Sequence, residues 1–172
     1  MDAGELRARQ APVKARYKEE PASALVTLRA EGRVGPGRMT CTVETDAGPV
    51  EAGLHPAVGG DGLSACSGAM LLESLVACAG VTLAAVATAL GVNLRGGTVA
   101  AEGDLDFRGT LGVSKDVPVG LKAIRLRFSL DTDADPDLLD TLLRLTERYC
   151  VVYQTLKSPP IIQVARAGAG RE

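Results

Sequence analysis

The sequence predicts an α+β fold in which two antiparallel β-sheets pack around central buried helices. Three observations predict it. A run of small and apolar residues from Ser67 to Leu90 has helical spacing. Hairpin-like alternation precedes this run, and a strand of strict period two follows it. A second amphipathic helix, opened by an Asp-Pro pair, comes after the strands.

The elements are taken in order along the chain. The first dozen residues read as a loose arm. "VKARY" and "ALVTLRAEG" have strand-like stretches. "RMTCTVETDAGPVEAGL" reads as a hairpin, with Met39, Cys41 and Val43 alternating with polar neighbours and "DAG" supplying the turn. "HPAVGGDGLSACSG" is a loop leading into a helix from about Ser67 to Leu90, with Ser64 or Ser67 as N-cap and Gly91 as C-cap. Leu71, Leu75, Cys78, Thr82 and Ala85 share one face of it, and its other faces are also apolar. Such a helix lies in a core or in a bilayer. The uncharged run Ser74–Leu90 falls short of the roughly 20 residues a span needs and no aromatic belt flanks it, so a central buried helix is expected and no membrane partner. "TVAAEGDLDFRG" and "LKAIRLRFSLDTD" form the second β region, with Ile124, Leu126, Phe128 and Leu130 on one side of the latter. Asp135 caps a helix that starts at Pro136 and carries Leu138, Leu139, Leu142, Leu143 and Leu145 on its apolar face. "CVVYQTLKS" adds helical turns, and "PPIIQV" closes as a short strand because its prolines forbid more helix.

The chain of 172 residues reads as one domain over 1–172. Residues 1–66 form an N-terminal arm and β-sheet lobe, 67–91 the central helix, and 92–172 the second β region, helices and C-terminal strand. Apolar residues make up 46 % and aromatics 3 %, so the core is built of Ala, Val and Leu. A net charge of −2 with no basic block leaves no surface for nucleic acid.

There are four cysteines, Cys41, Cys66, Cys78 and Cys150, and one histidine, His55. No Cys-x-x-Cys occurs, which argues against a zinc site. The charged N-terminus lacks an apolar leader, so a cytoplasmic location with reduced thiols is expected. Cys78 sits inside the apolar helix. Its bland reading is inert packing, because free cysteine is among the most buried residue types. Burial alone disfavours a thiolate, so a reactive Cys78 needs a cation or donor nearby, with Arg29, Arg33, Arg38 and His55 as candidates. Cys150 lies at a junction of helices and could meet Cys78. Peroxide oxidises a thiolate to a sulfenic acid, and a second thiol condenses with it to a disulfide.

The N-terminal sheet, the Gly-rich loop, "MLLESLVACAGVTLAAVA", the following sheet and "ERYCVVYQTLKSPPIIQV" together resemble the OsmC/Ohr family, osmotically inducible proteins and organic hydroperoxide reductases. The likeness runs from about Leu25 to Val164. It implies an OsmC-like intertwined homodimer with two sites at the interface. It further implies Cys78 as peroxidatic thiol, Cys150 as resolving thiol, an organic hydroperoxide as substrate and an external, lipoyl-type dithiol as reductant, with no bound cofactor or metal. An arginine from the N-terminal region supports the thiolate in that family, and Arg38 or Arg33 is the candidate here. The sequence departs from the pattern at three places. The helix glutamate of the family's peroxidases is replaced by Gly68 or Ala69, and Glu73 faces elsewhere. Val151 stands after Cys150 where many relatives have proline. His55 and Cys66 precede the helix, Cys66 as an alternative resolving thiol and His55 as a site residue or a loop residue stiffened by Pro56. The resemblance implies a thiol peroxidase; a non-catalytic small-molecule binding protein and a one-shot redox sensor are the alternatives.

Overall fold

The computed structural model describes residues 1–166. Helix α1 (Ala3–Glu19) leads into a short turn at Pro21–Ala24. Strands β1 (Gly32–Val34), β2 (Thr40–Val43), β3 (Val50–Gly53) and β4 (Ala65–Cys66) follow in one sheet, in that spatial order. Helix α2 (Ser67–Leu90) connects to β5 (Leu94–Leu105), a single turn of helix α3 (Phe107–Thr110), and β6 (Leu121–Thr132). Helices α4 (Pro136–Tyr149) and α5 (Val151–Lys157) complete the elements. The α+β class with two sheets is as expected.

The hairpin β2–β3 forms in the expected place, pairing Cys41 with Ala52. Its turn holds because the Thr45 hydroxyl donates to the Gly48 carbonyl at 2.6 Å, and Gly48 takes φ 115°, a conformation open to glycine. The sheet is not wholly antiparallel: β4 runs parallel to β3. The loop from Leu54 to Ser64 carries the chain back to the start of β3's partner position, and this return makes the parallel pair.

The long hairpin β5–β6 pairs Leu94–Leu105 with Leu121–Thr132. The half-buried face of β6 presents Ile124, Leu126, Phe128 and Leu130, as its period-two pattern requires. The opposite face carries ion pairs: Arg125 to Asp104 and Glu102, Arg127 to Glu102. These are exposed and add little stability.

Helix α2 packs against β5, α4 and α5, with lesser contact to α1 and β4. Within one chain it buries a single stripe, Leu75, Ala79, Leu83 and Ala87. This corrects the expectation of a helix buried on all sides. Val81 is 73 % exposed and Leu71 41 %. By length and composition alone α2 could cross a membrane. Gly91 caps it in the left-handed region at φ 71°, as expected. The N-cap is Cys66, without a side-chain bond, and neither Ser64 nor Ser67 takes that place.

Two apolar clusters lie along the stripe. One joins Leu83, Ala87, Val92 and Leu142, and the other joins Leu75, Ala79 and Cys150. The Asp135 side chain accepts from the Leu138 N–H at 2.9 Å, which starts α4 as its sequence signals.

Three further expectations fail. The loose arm and the "VKARY" strand are one helix, α1, opened by a capping box of Asp2 and Glu5. Its surface is polar all round, so no apolar period marked it. Residues 25–31 form no strand, although the Glu31 carbonyl accepts from the Glu44 N–H, and β1 starts only at Gly32. "PPIIQV" forms no strand either; it is extended and has no partner within the described residues. Leu25, Leu28, Ile161, Ile162 and Val164 in these two segments are all exposed, Ile161 to 92 %.

Candidate active site

The site is assembled where α2 crosses the break between α4 and α5. Cys150 ends α4 as its C-cap and opens α5 as its N-cap. Its extended backbone, φ −73° and ψ 110°, turns the chain there. That turn aims the first N–H groups of α5, which have no partner inside their own helix, at the flank of α2. Cys78 lies on that flank.

The two thiols are neighbours: Cys78 packs against the buried cluster that contains Cys150. Cys150 is buried at 1 % exposure and Cys78 is half-buried; both are free thiols. Ala79, Leu75, Val99, Ile124, Leu126 and Phe128 surround them.

Burial pushes the Cys78 thiol up. The N–H of Val152, the Cys150 thiol, the N–H of Val151 and the Thr82 hydroxyl outweigh it, so Cys78 is held below its ordinary value. Burial also pushes Cys150 up. The N–H groups of Tyr153 and Val152 offset this only in part, and the adjacent Cys78 sulfur adds to the rise. No full side-chain cap bond forms at Cys150. The pair therefore consists of a thiol that ionises early beside one that keeps its proton.

Tyr153 braces the junction. Its hydroxyl donates to Glu147 Oε2 at 3.1 Å, and the Gln154 amide donates to the Glu147 carbonyl at 2.8 Å. Burial and the Glu147 carboxylate push the Tyr153 phenol up. A cleft of about 470 Å³ lies against the apolar residues around the sulfurs, with neither cysteine in its lining. It shares Leu75, Ile124, Leu126, Phe128, Tyr153 and Leu156 with the sulfur cluster, and Lys122 and Lys157 line it as well.

The other candidates lie elsewhere. Arg33 pairs with Glu44, and Arg38 pairs with Glu51 at 2.9 Å. Both are exposed residues of the N-terminal sheet lobe, held by carboxylates on neighbouring strands and loops. The groups acting most strongly on Cys78 include no guanidinium. The His55 ring stacks on Phe107 at 5.1 Å between centroids, and its Nδ1 accepts from the Ala57 N–H at 3.0 Å. His55 thus pins the loop to the segment that links β5 and β6. Cys66 is the half-buried N-cap of α2, three turns before Cys78. Cys41, on β2, packs against Gly32, where an added Cβ would meet its sulfur at 2.7 Å. Among the described residues no cluster of His, Cys, Asp or Glu could hold a metal ion.

Sequence reasoning missed the backbone donors of Val151 and Val152, which leave no mark in residue type. It also passed over the Glu147–Tyr153 brace. The i, i+6 spacing across a helix break gives no periodic signal.

Comparison with known proteins matches this arrangement to one family. Residues 60–165 match the model of the OsmC-like protein family. No curated protein matches the sequence. Among solved structures, an OsmC-like protein from Mycoplasma pneumoniae superposes with a TM-score of 0.65 at 16 % identity, over 78 % of this chain and 89 % of that one. An organic hydroperoxide resistance protein OsmC from Legionella pneumophila gives 0.61 at 19 % identity, over 78 % and 92 %. The organic hydroperoxide resistance protein OhrB of Bacillus subtilis gives 0.52 at 18 % identity, over 79 % and 94 %. At these identities the structures speak for the fold, and the family match covers well over half the chain. With its long helix, two sheets and paired thiols, the chain belongs to the OsmC-like family.

Proposed function

We propose that the protein is a thiol peroxidase that reduces organic hydroperoxides. The observation that supports it most is the adjacency of Cys78 and Cys150 with opposed thiol acidities. Hydroperoxide resistance proteins among its structural relatives are consistent with the reading.

The Cys78 thiolate attacks the terminal oxygen of the hydroperoxide. The O–O bond breaks, Cys78 becomes a sulfenic acid, and the alkoxide leaves as the alcohol after taking a proton. The Cys150 thiol then attacks the Cys78 sulfur. A disulfide forms, the sulfenic oxygen leaves as water, and Cys150 gives up its proton in the process. An external dithiol reduces the disulfide, becoming a disulfide itself and returning both thiols. A reducing cytoplasm suits such a cycle. The apolar side chains of the neighbouring cleft, Leu75, Ile124, Leu126 and Phe128, favour bulky alkyl peroxides over hydrogen peroxide.

The working form is a homodimer. The outward faces of α2 and the exposed segments at residues 25–28 and 161–164 are covered in this reading by a second copy, not by lipid. The protein then stays in solution without detergent and sediments as a dimer.

The test is steady-state turnover of cumene hydroperoxide with dihydrolipoamide. Turnover in the native protein, and its loss in Cys78→Ser, is expected. Full turnover in Cys78→Ser overturns the mechanism. The weak cationic support at Cys78 favours a one-shot redox sensor as the second reading; a disulfide formed with one equivalent of peroxide, without turnover, selects it.

A further inference from the structure

We infer that Glu147 and Tyr153 are positioning residues: their hydrogen bond across the α4–α5 break holds Cys150 where its sulfur can bond to that of Cys78. The inference rests on the pairing of these two thiols and adds what keeps them in place.

The break is a pivot. The Cys150 backbone leaves the helical region for one residue, at ψ 110°, so no regular ladder fixes the angle between α4 and α5. The Cys150 N–H donates to the Thr146 carbonyl at 2.9 Å, and the Cys150 carbonyl accepts from the Gln154 N–H at 3.0 Å. Each bond ties Cys150 to one helix. Among the described residues no other backbone bond joins the two helices. Two side-chain bonds do so, and both end on Glu147. The Tyr153 hydroxyl donates to Glu147 Oε2 at 3.1 Å. The Gln154 side-chain amide donates to the Glu147 carbonyl at 2.8 Å, which the break has deprived of a backbone partner. Glu147 stands three residues before Cys150 and Tyr153 three after it, so the hydroxyl bond spans the pivot evenly.

Tyr153 also reaches into the sulfur site. Its half-buried ring packs against the cluster of Leu75, Ala79 and Cys150, and the Lys157 ammonium lies 5.8 Å from the ring centre. Phenylalanine would serve the packing alone. The hydroxyl adds a second fixed point, so the side chain is held by its ring at one end and by a carboxylate at the other. Opening the angle between the helices would turn the Cys150 side chain relative to α2. A disulfide tolerates little of this, because it forms only over α-carbon separations of about 4.4–6.8 Å with a defined torsion.

The experiment equilibrates the reduced, full-length protein with mixtures of glutathione and glutathione disulfide, then reads the Cys78–Cys150 disulfide by mass spectrometry after acid quenching and alkylation. In this exchange the Cys78 thiolate attacks glutathione disulfide and displaces one glutathione thiolate. The Cys150 thiol, losing its proton, then attacks the Cys78 sulfur and displaces the second; the protein pair is oxidised and glutathione disulfide is reduced. The midpoint gives the effective concentration of one protein thiol toward the other, which measures their placement. Tyr153→Phe should lower it about tenfold, the scale of one hydrogen bond to a charged group in contact with water. Glu147→Ala should cause the same loss, and the double variant no more than either, because each removes the same bond. Glu147→Gln keeps an acceptor and should retain most of the native value. Tyr149→Phe, on an exposed ring outside the cluster, should leave it unchanged. A general weakening of the fold acts on the reduced and oxidised proteins alike and does not move this midpoint. Circular dichroism checks folding; if Tyr153→Phe does not fold, Glu147→Ala, at an exposed helix position, carries the test. An unmoved value in folded Tyr153→Phe or Glu147→Ala overturns the inference. So does a double variant whose loss is the product of the two single losses, or a native protein that forms no such disulfide. No peroxide enters this measurement. A lowered value without peroxide turnover keeps the brace and removes the peroxidase reading. Turnover with an unmoved value does the reverse.

Discussion

Two cysteines of the same chemistry acquire different acidities here because of where their hydrogen-bonding neighbours lie. Donors from the α5 start, Val152 and Val151, outweigh burial at Cys78, whereas Cys150 is enclosed in the apolar cluster, where burial and the adjacent Cys78 sulfur raise it. Only the thiolate is alkylated or oxidised. With its acidity increased, Cys78 should react as pH rises through a midpoint below the ordinary thiol range, and Cys150 only above that range. Alkylation of the two peptides followed from pH 5 to 10 checks this; Cys150 modified first, or both together at an ordinary midpoint, contradicts it. Because the two sulfurs interact, the first titration belongs to the pair as well as to Cys78. At this scale the sequence was informative where residue type carries the signal. The two thiols stood out by their residue type, and the fold makes them neighbours. The backbone donors did not stand out, because any residue has an N–H, and its direction depends on a chain turn 72 positions after Cys78. Arg33 and Arg38 have partners that residue type alone does not give, for a related reason. A guanidinium seeks the nearest carboxylate, and Glu44 and Glu51 are that near only once β2 and β3 have paired.

Elements with a strong period were legible and elements without one were not. The alternation of β6, the apolar run of α2 and the Asp-Pro start of α4 all produced the expected structure. Helix α1 escaped because it presents no buried residue and carries Pro12 in its interior, so periodicity and propensity both argued against it. The "PPIIQV" strand was expected from composition, but a strand needs a neighbour, and the described residues offer none there. Where a helix does bury a stripe, the stripe carries its stability. Leu142 of α4 is fully enclosed against Leu83, Ala87 and Val92. Leu142→Ala should lower unfolding stability by about 2–5 kcal/mol through lost transfer energy and the cavity it leaves. Urea unfolding followed by circular dichroism measures this; a loss well under 1 kcal/mol would mean that α4 is not anchored at this point.

For the whole molecule, the junction at Cys150 joins parts that are distant along the chain. It is the point where the last two helices meet the longest one. A covalent bond between the two sulfurs would close a loop of about 70 residues across the entire second half of the fold. By the chain-entropy argument, such a closure removes roughly 4 kcal/mol of freedom from the unfolded chain. The oxidised protein should therefore melt several degrees above the reduced one in a calorimetric scan, and treatment with a dithiol should erase the difference. Equal melting of the two forms would mean that the bridge had strained the native structure by as much as it restrained the unfolded one. Where the bridge does raise the melting point, thermal resilience acts as a ledger of thiol oxidation: each molecule whose two sulfurs are joined is marked by how much heat it withstands.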